Sequence, residues 1–96
     1  MENGEEKQKI REIKKITKEI IYLIRMKGRD YQDSCFKLGD AGFFVRIFDK
    51  VNRLKSLVWD KKKREVNDET VDDSIRDLIG YGLLWLYHRK QGKKNV

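Results

Sequence analysis

The stretch 68–91, which reads DETVDDSIRDLIGYGLLWLYHRKQ, indicates a long helix more clearly than any other part of the chain. An Asn or Asp at its start can cap the helix, and basic residues precede Gly92 at its end, as helix termini prefer. From Tyr81 onward the helix is apolar on nearly every side. A helix of this kind has to be enclosed, and we expect a partner subunit to help enclose it.

Two more amphipathic helices are predicted upstream of this stretch. In 5–27, apolar residues three or four positions apart form the stripe of a helix that buries one face, with Gly28 as its left-handed end. After a connecting segment, a second helix is predicted from a cap at Asp40 to about Trp59. The stripe that this second helix is expected to bury consists of Phe44, Ile47, Phe48, Val51, Leu54 and Val58.

The composition favours a helical domain over a β-sandwich or a disordered chain. Charged residues make up 41% of the 96 residues and hydrophobic residues 39%, and proline is absent. We therefore predict an all-α fold, a small bundle of three long helices plus a short connecting turn. It forms a single helical domain over 1–96, with frayed ends at 1–4 and 93–96. Because a chain of this size buries only about 60 to 70% of its unfolded surface, we expect oligomerisation to complete the bundle.

The sequence also favours a cytoplasmic location. Cys35 is the one cysteine of the chain, so an internal disulfide cannot form. No apolar stretch near the start resembles a secretory signal. The longest apolar run, 78–87, covers about half of the roughly 20 residues that a bilayer crossing needs, so no membrane partner is expected.

Three carboxylates follow one another at intervals of four residues on the third helix: Glu69, Asp73 and Asp77. Like charges at this spacing destabilise a helix by about a few tenths of a kcal/mol per pair, and a bound cation would relieve the repulsion. Mg²⁺ is the natural candidate because it prefers oxygen ligands and shares them with substrate phosphates. Asp49 can join the set if the second and third helices pack antiparallel. The alternative is that Glu69 and Asp73 only favour the positive end of their helix.

Asp77 is the hardest of these residues to explain without a ligand. It lies past the second turn of its helix and directly before the apolar stretch, where an unpaired charge is costly. Basic residues on the second helix could balance the charge of a triphosphate, because Arg binds phosphate oxygens through two hydrogen bonds. The candidates that share an arc with Asp49 are Arg46, Lys50 and Arg53. An ordinary ion-paired surface is the alternative for them.

Several short motifs of the chain occur together. They are KGRDY at 27–31, RIFDK at 46–50, RL at 53–54, VNDE at 66–69, Asp73, and DLIGY at 77–81. Through these motifs, across about residues 23–87, the chain resembles the nucleotide-modification-associated helical family of phages and prokaryotes. The stretch DLIGY, followed by leucines, also looks like the final acidic helix of MazG-like and dimeric dUTPase-like members of the all-α nucleoside-triphosphate pyrophosphatases.

The resemblance implies an enzyme that hydrolyses a nucleoside triphosphate to a nucleoside monophosphate and pyrophosphate. In this superfamily, acidic residues of two helices bind Mg²⁺, with Mn²⁺ as an alternative, and the proteins are typically homodimers or homotetramers. The metal ligands carried over by position are Asp49, Glu69, Asp73 and Asp77. The catalytic candidates are Asp73 and Asp77. The phosphate-binding candidates are Lys27, Arg46, Lys50 and Arg53.

Two departures from the family's pattern keep other functions open. Asn52 stands where a second acidic residue is expected, three positions after Asp49, and Ser74 replaces the Glu expected three positions before Asp77. Nucleotide binding without catalysis is therefore an alternative. The net charge of +7 also allows a nucleic-acid-binding helical protein that uses 61–64 and 90–94. A purely structural helical dimer is the third alternative.

Overall fold

A computed structural model describes residues 3–28, 37–60 and 68–94, with side chains described up to residue 92 except at 68 and 69. Helix α1 spans Gly4–Met26, α2 spans Asp40–Leu54 and α3 spans Asp68–Lys94. A π-helical turn, Lys55–Trp59, continues α2. Every regular element in the described ranges is helical, which confirms the predicted all-α fold with three long helices.

The two ends of α1 follow local rules. The side chain of Asn3 accepts a hydrogen bond of 2.8 Å from the backbone N–H of Glu6, so it caps the first turn. At the other end, the Lys27 N–H donates to the carbonyl of Leu23 with Lys27 at φ −103°. The left-handed end predicted at Gly28 is therefore wrong, because α1 closes with an ordinary backbone hydrogen bond before that glycine is reached.

The start of α2 differs from the prediction in its cap. Gly39 precedes the helix with φ at 64°, a conformation that favours glycine, and no side chain caps the helix there. Asp40 is the first helical residue, and its carboxylate is turned toward α3. It accepts hydrogen bonds of 2.7 Å from Trp85 Nε1 and 2.7 Å from Arg89 Nη1. The predicted cap at Asp40 is wrong, because tertiary partners bind its carboxylate.

Helix α2 packs antiparallel along α3. The ring of Phe43, fully buried near the start of α2, stacks on Trp85 with centroids 6.1 Å apart and lies tilted against His88 near the end of α3. Seven residues further along α2, Lys50 reaches Asp77, eight residues before Trp85. Helix α1 also packs on α3, where Glu19 lies beside Arg76. Helix α3 is therefore the element on which both other helices pack.

The side of α2 that faces α3 is not the predicted one. Phe43 and Leu57 are buried, and Ile47 and Leu54 lie half-buried between them. The other members of the predicted stripe are between 47% and 57% exposed, and Phe44 stacks on Phe48 at the surface. Helix α2 thus carries two neighbouring apolar stripes, of which α3 covers one. The exposed stripe consists of Phe44, Phe48, Val51 and Val58.

Apolar burial within the described residues is sparse. The buried hydrophobic side chains there are Ile20, Phe43 and Leu57. The radius of gyration is 15.9 Å, compared with about 13 Å for a typical 100-residue domain. The chain therefore leaves much apolar surface in contact with solvent. No helix in the described ranges combines the length and apolarity that a bilayer crossing requires.

The contacts of Asp40 predict a dependence of stability on pH. The hydrogen bond from Trp85 and then that from Arg89 lower the pKa of the Asp40 carboxyl below its ordinary value of 3.8. Because these bonds exist only in the folded chain, their contribution to stability is complete above the unfolded-state pKa. It is lost as the pH falls through the lower folded-state pKa. We expect the free energy of unfolding to fall more steeply below about pH 4 in the wild type than in Asp40→Asn.

Urea denaturation at intervals from pH 2.5 to pH 7 provides the measurement. The matched control is Asp60→Asn, which removes a carboxylate that lies 3.6 Å from Lys55 Nζ. If the free energy of unfolding changed with pH in parallel for the wild type and Asp40→Asn, the lowered pKa of Asp40 would be contradicted.

Candidate phosphate-binding site

Three segments of the chain meet at the carboxylate of Asp77. Its side chain is 19% exposed, with Oδ2 lying 3.1 Å from Lys50 Nζ of α2 and Oδ1 lying 3.7 Å from Lys27 Nζ at the end of α1. The sequence showed that a charge at this position needs a partner, because the apolar half of α3 begins directly after it. The structure supplies two ammonium groups as those partners.

A pocket of about 190 Å³ opens beside this carboxylate, between α2 and α3. Antiparallel packing places two basic positions of α2, three residues apart, opposite four positions of α3 with the spacing i, i+3, i+4 and i+7. Ser74 is buried at the base of this row, and its hydroxyl donates to the carbonyl of Thr70 over 3.0 Å. The residues that line the pocket are Lys50, Arg53, Thr70, Asp73, Ser74 and Asp77.

Asp73 stands at the rim of the pocket. Its side chain is 64% exposed and accepts a hydrogen bond of 3.2 Å from Arg76 Nη1. Arg76 Nε in turn lies 3.7 Å from a carboxylate oxygen of Glu19 on α1. Solvent or a ligand can therefore reach Asp73, whereas Asp77 is held from two sides by lysines.

The structure brings together most of the predicted site residues on α2 and α3. Lys50, Arg53, Asp73 and Asp77 line one pocket, and Lys27 contacts Asp77. The pocket also contains Thr70 and Ser74, which sequence reasoning did not select. Their i and i+4 spacing ahead of Asp77 was the available signal, but small hydroxyl residues on a helix are too common to stand out.

Two of the predicted residues lie away from the pocket, and one is outside the described side chains. Arg46 and Asp49 are exposed on α2 and do not line the pocket. The side chain of Glu69 and the basic run 61–64 lie outside the described residues. Among the residues that are described, no three acidic, histidine or cysteine side chains are close enough to hold one ion. The assignment of Asp49, Glu69, Asp73 and Asp77 as metal ligands therefore stays a prediction.

The charge around the pocket favours an anion over a bare cation. Among the described side chains, Lys50 and Arg53 balance Asp73 and Asp77 in the lining itself, and Lys27, outside the lining but 3.7 Å from Asp77, leaves an excess of one positive charge. Asp73 and Asp77 are the carboxylates of this pocket whose side chains the structure describes. They fit an ion that arrives with a phosphate chain, since Mg²⁺ in proteins commonly binds one or two carboxylates together with substrate phosphates.

Comparison of the chain with family models, curated proteins and solved structures gives no match. The resemblance to the nucleotide-modification-associated helical family therefore remains a prediction from the sequence motifs. The function has to be argued from the geometry of the site itself.

The two ion pairs of Asp77 should differ in strength. The Lys50 pair is shorter and its lysine is less exposed than Lys27, so water screens it less. In double-mutant cycles built from Lys50→Met, Lys27→Met and Asp77→Asn, we expect a coupling of about 1 kcal/mol for Lys50–Asp77 and about 0.3 kcal/mol for Lys27–Asp77.

Urea denaturation of the wild type, the single variants and the double variants at low salt measures both coupling energies. The cycle for Lys55 and Asp60 is the control, because this pair at 3.6 Å also joins an exposed lysine to a half-buried carboxylate, and it should give a value near that of Lys27. A Lys50–Asp77 coupling energy no larger than that of the control would contradict the assignment of Lys50 as the stronger partner of Asp77.

Proposed function

We propose that the chain binds the phosphate groups of a nucleoside triphosphate in the pocket between α2 and α3. The observation that carries this proposal is the convergence of Lys50 and Arg53 of α2, with Lys27 from the end of α1, on a cluster whose described side chains carry three cations and two carboxylates. At about 190 Å³ the pocket is smaller than the roughly 300 to 1,000 Å³ of sites that enclose a whole small ligand. It therefore suits a phosphate chain better than a complete nucleotide.

The ion pairs of Asp77 prepare the pocket for a phosphate. Asp77 holds Lys50 and Lys27 in place before any ligand arrives, which lowers the entropy cost of ordering two long side chains on binding. Arg53 lies one turn from Lys50 on the same face of α2, where its guanidinium can bind two phosphate oxygens at once. In this arrangement the lysines contribute positive charge, and the two hydrogen bonds of Arg53 fix the orientation of the phosphate.

Hydrolysis to a nucleoside monophosphate and pyrophosphate is the sharper form of the proposal, and it rests on the resemblance of the sequence. Mg²⁺ delivered with the nucleotide would be held by Asp73 and Asp77 and would supply neutralisation of phosphate charge. Asp73, accessible at the rim, is the carboxylate best placed to orient an attacking water. Binding without hydrolysis is the alternative form, because Asn52 and Ser74 depart from the family's acidic pattern.

Binding of phosphate is tested first. Isothermal titration of tripolyphosphate into the protein should give an affinity that falls about tenfold in Lys50→Gln and again in Arg53→Gln, since each loses a charge-assisted hydrogen bond of about 1.5 to 3 kcal/mol. The matched control is Lys55→Gln, which removes a 63% exposed lysine one turn beyond the pocket. If Lys50→Gln and Lys55→Gln lost the same affinity for tripolyphosphate, the loss would reflect the net charge of the protein, and the proposed site would be refuted.

Hydrolysis is tested on the same proteins. A panel of nucleoside triphosphates with Mg²⁺ should release pyrophosphate, and Asp77→Asn should abolish the release. Pyrophosphate at the same rate from Asp77→Asn would exclude catalysis at this pocket. If the protein bound tripolyphosphate but hydrolysed no nucleotide, only the form of the proposal without catalysis would stand.

We further propose that a second copy of the chain covers the exposed stripe of α2, as expected from the sparse core. The four side chains of this stripe are about half exposed, Phe44 stacks on Phe48, and an exposed apolar patch of this kind is typical of an interface between subunits. A second copy is the occupant that the chain itself argues for. Its own helices bury few apolar side chains within the described residues, and identical stripes can pair about a two-fold axis.

Sedimentation velocity over a range of concentrations tests this interface. The wild type should sediment as a dimer or larger at micromolar concentration, and Phe48→Asp should shift it to the monomer by placing a charge in the apolar stripe. The control is Ile21→Asp, which introduces the same charge at a 44% exposed apolar position of α1. A wild type that stays monomeric at all concentrations would refute the pairing.

A further inference from the structure

A second groove adjoins the phosphate pocket and is larger than it. It lies between α1 and the first turns of α3 and has a volume of about 550 Å³. Asp73 lines both cavities, so the two share a wall. The residues that line the groove are Lys18, Glu19, Tyr22, Leu23, Asp73 and Arg76.

The lining of this groove combines two uncharged side chains with four charged ones. Tyr22, which is 61% exposed, and Leu23, which is half-buried, are the uncharged two. Arg76 is held between Asp73 at 3.2 Å and Glu19 at 3.7 Å, which joins α1 to α3 at one side of the groove. An aromatic face beside fixed polar groups is the combination that binds a flat, hydrogen-bonding ring.

The charges of the groove are balanced within its own lining. Lys18 and Arg76 are balanced by Glu19 and Asp73, so the formal charge of the groove lining is zero. The lining of the phosphate pocket is balanced as well, and Lys27, which contacts Asp77 from outside that lining, adds one positive charge there. The surplus cation therefore lies beside the pocket, where a phosphate chain would bind, and the groove without a surplus suits an uncharged nucleoside.

The spacing of the two cavities also fits one ligand. Asp73 precedes Asp77 by four residues, which is about 6 Å along α3. Tyr22 precedes Lys27 by five residues, or about 7.5 Å along α1. Both helices thus carry a groove residue roughly one turn away from a residue of the phosphate site, which is a distance that a nucleotide can span.

We infer that the groove binds the base and sugar of the nucleotide whose phosphates occupy the pocket, with the base stacked on Tyr22. This inference rests on the proposed phosphate site and adds the second half of the ligand. A volume of about 550 Å³ lies within the roughly 300 to 1,000 Å³ typical of small-molecule sites. Because stacking on one ring accepts any base, the groove selects nucleotides over inorganic polyphosphate and selects weakly among bases.

The test compares ligands that share the phosphate chain and differ in the nucleoside. Isothermal titration with ATP, GTP, CTP, UTP and inorganic tripolyphosphate, all in EDTA to prevent hydrolysis, gives the affinities. Tyr22→Ala should weaken the binding of nucleotides about tenfold and leave tripolyphosphate unchanged, in keeping with about 1 to 3 kcal/mol for one stacked base. Tyr22→Phe should retain the wild-type affinities, because it keeps the ring and shows that the fold tolerates a change at this position.

Tyr87→Ala is the matched control, since it removes an exposed tyrosine of α3 that does not line the groove, and it should change no affinity. Equal weakening of ATP and tripolyphosphate by Tyr22→Ala would overturn the inference and leave the phosphate site standing. The inference would also be overturned if the wild-type protein bound nucleotides no more tightly than tripolyphosphate. A Tyr22→Ala variant that loses self-association while keeping its affinity for ATP would assign the groove to a second copy. If neither tripolyphosphate nor any nucleotide binds, the proposed phosphate site and the proposed nucleoside groove are both refuted.

Discussion

The antiparallel contact between α2 and α3 is the constraint on which the rest of the structure depends. It is held at one end by Phe43 stacked on Trp85 and at the other by the Lys50–Asp77 ion pair. The two contacts are seven residues apart on α2 and eight on α3, so each helix makes about two turns between them. A shift of α2 by one residue would break both contacts and turn Arg53 away from the pocket.

The pairing of Asp77 explains how a carboxylate is tolerated at the edge of an apolar helix. Lys50 of α2 and Lys27 at the end of α1 satisfy its charge, and together with Arg53 they outnumber the two described carboxylates of this cluster. A set of carboxylates alone would attract a metal ion, whereas carboxylates outnumbered by cations attract an anion. The ligand that we propose therefore depends on what α1 and α2 bring to α3 as much as on the acidic row of α3 itself.

The surfaces that we propose for self-association and for ligand binding are different ones. The exposed stripe of α2 lies about 100° around the helix from the stripe that α3 covers, while the pocket lies between α2 and α3. An oligomer that covered the stripe would leave the pocket open. Enclosing that stripe would also hold α2 more firmly and so fix the position of Lys50.

The sequence by itself determined the three long helices, because apolar spacing and terminal residues are local properties, and it identified Asp77 as a charge that needs a partner. It also selected Lys50, Arg53 and Asp73, which the structure brings to one pocket. Which of the two stripes of α2 is buried was decided only by tertiary packing, since Phe43 and Phe44 are equally apolar and differ by 100° around the helix. The partners of Asp40 and Asp77 were likewise decided by the fold, because Trp85 and Lys50 lie far from them in sequence and meet them only when α2 packs on α3.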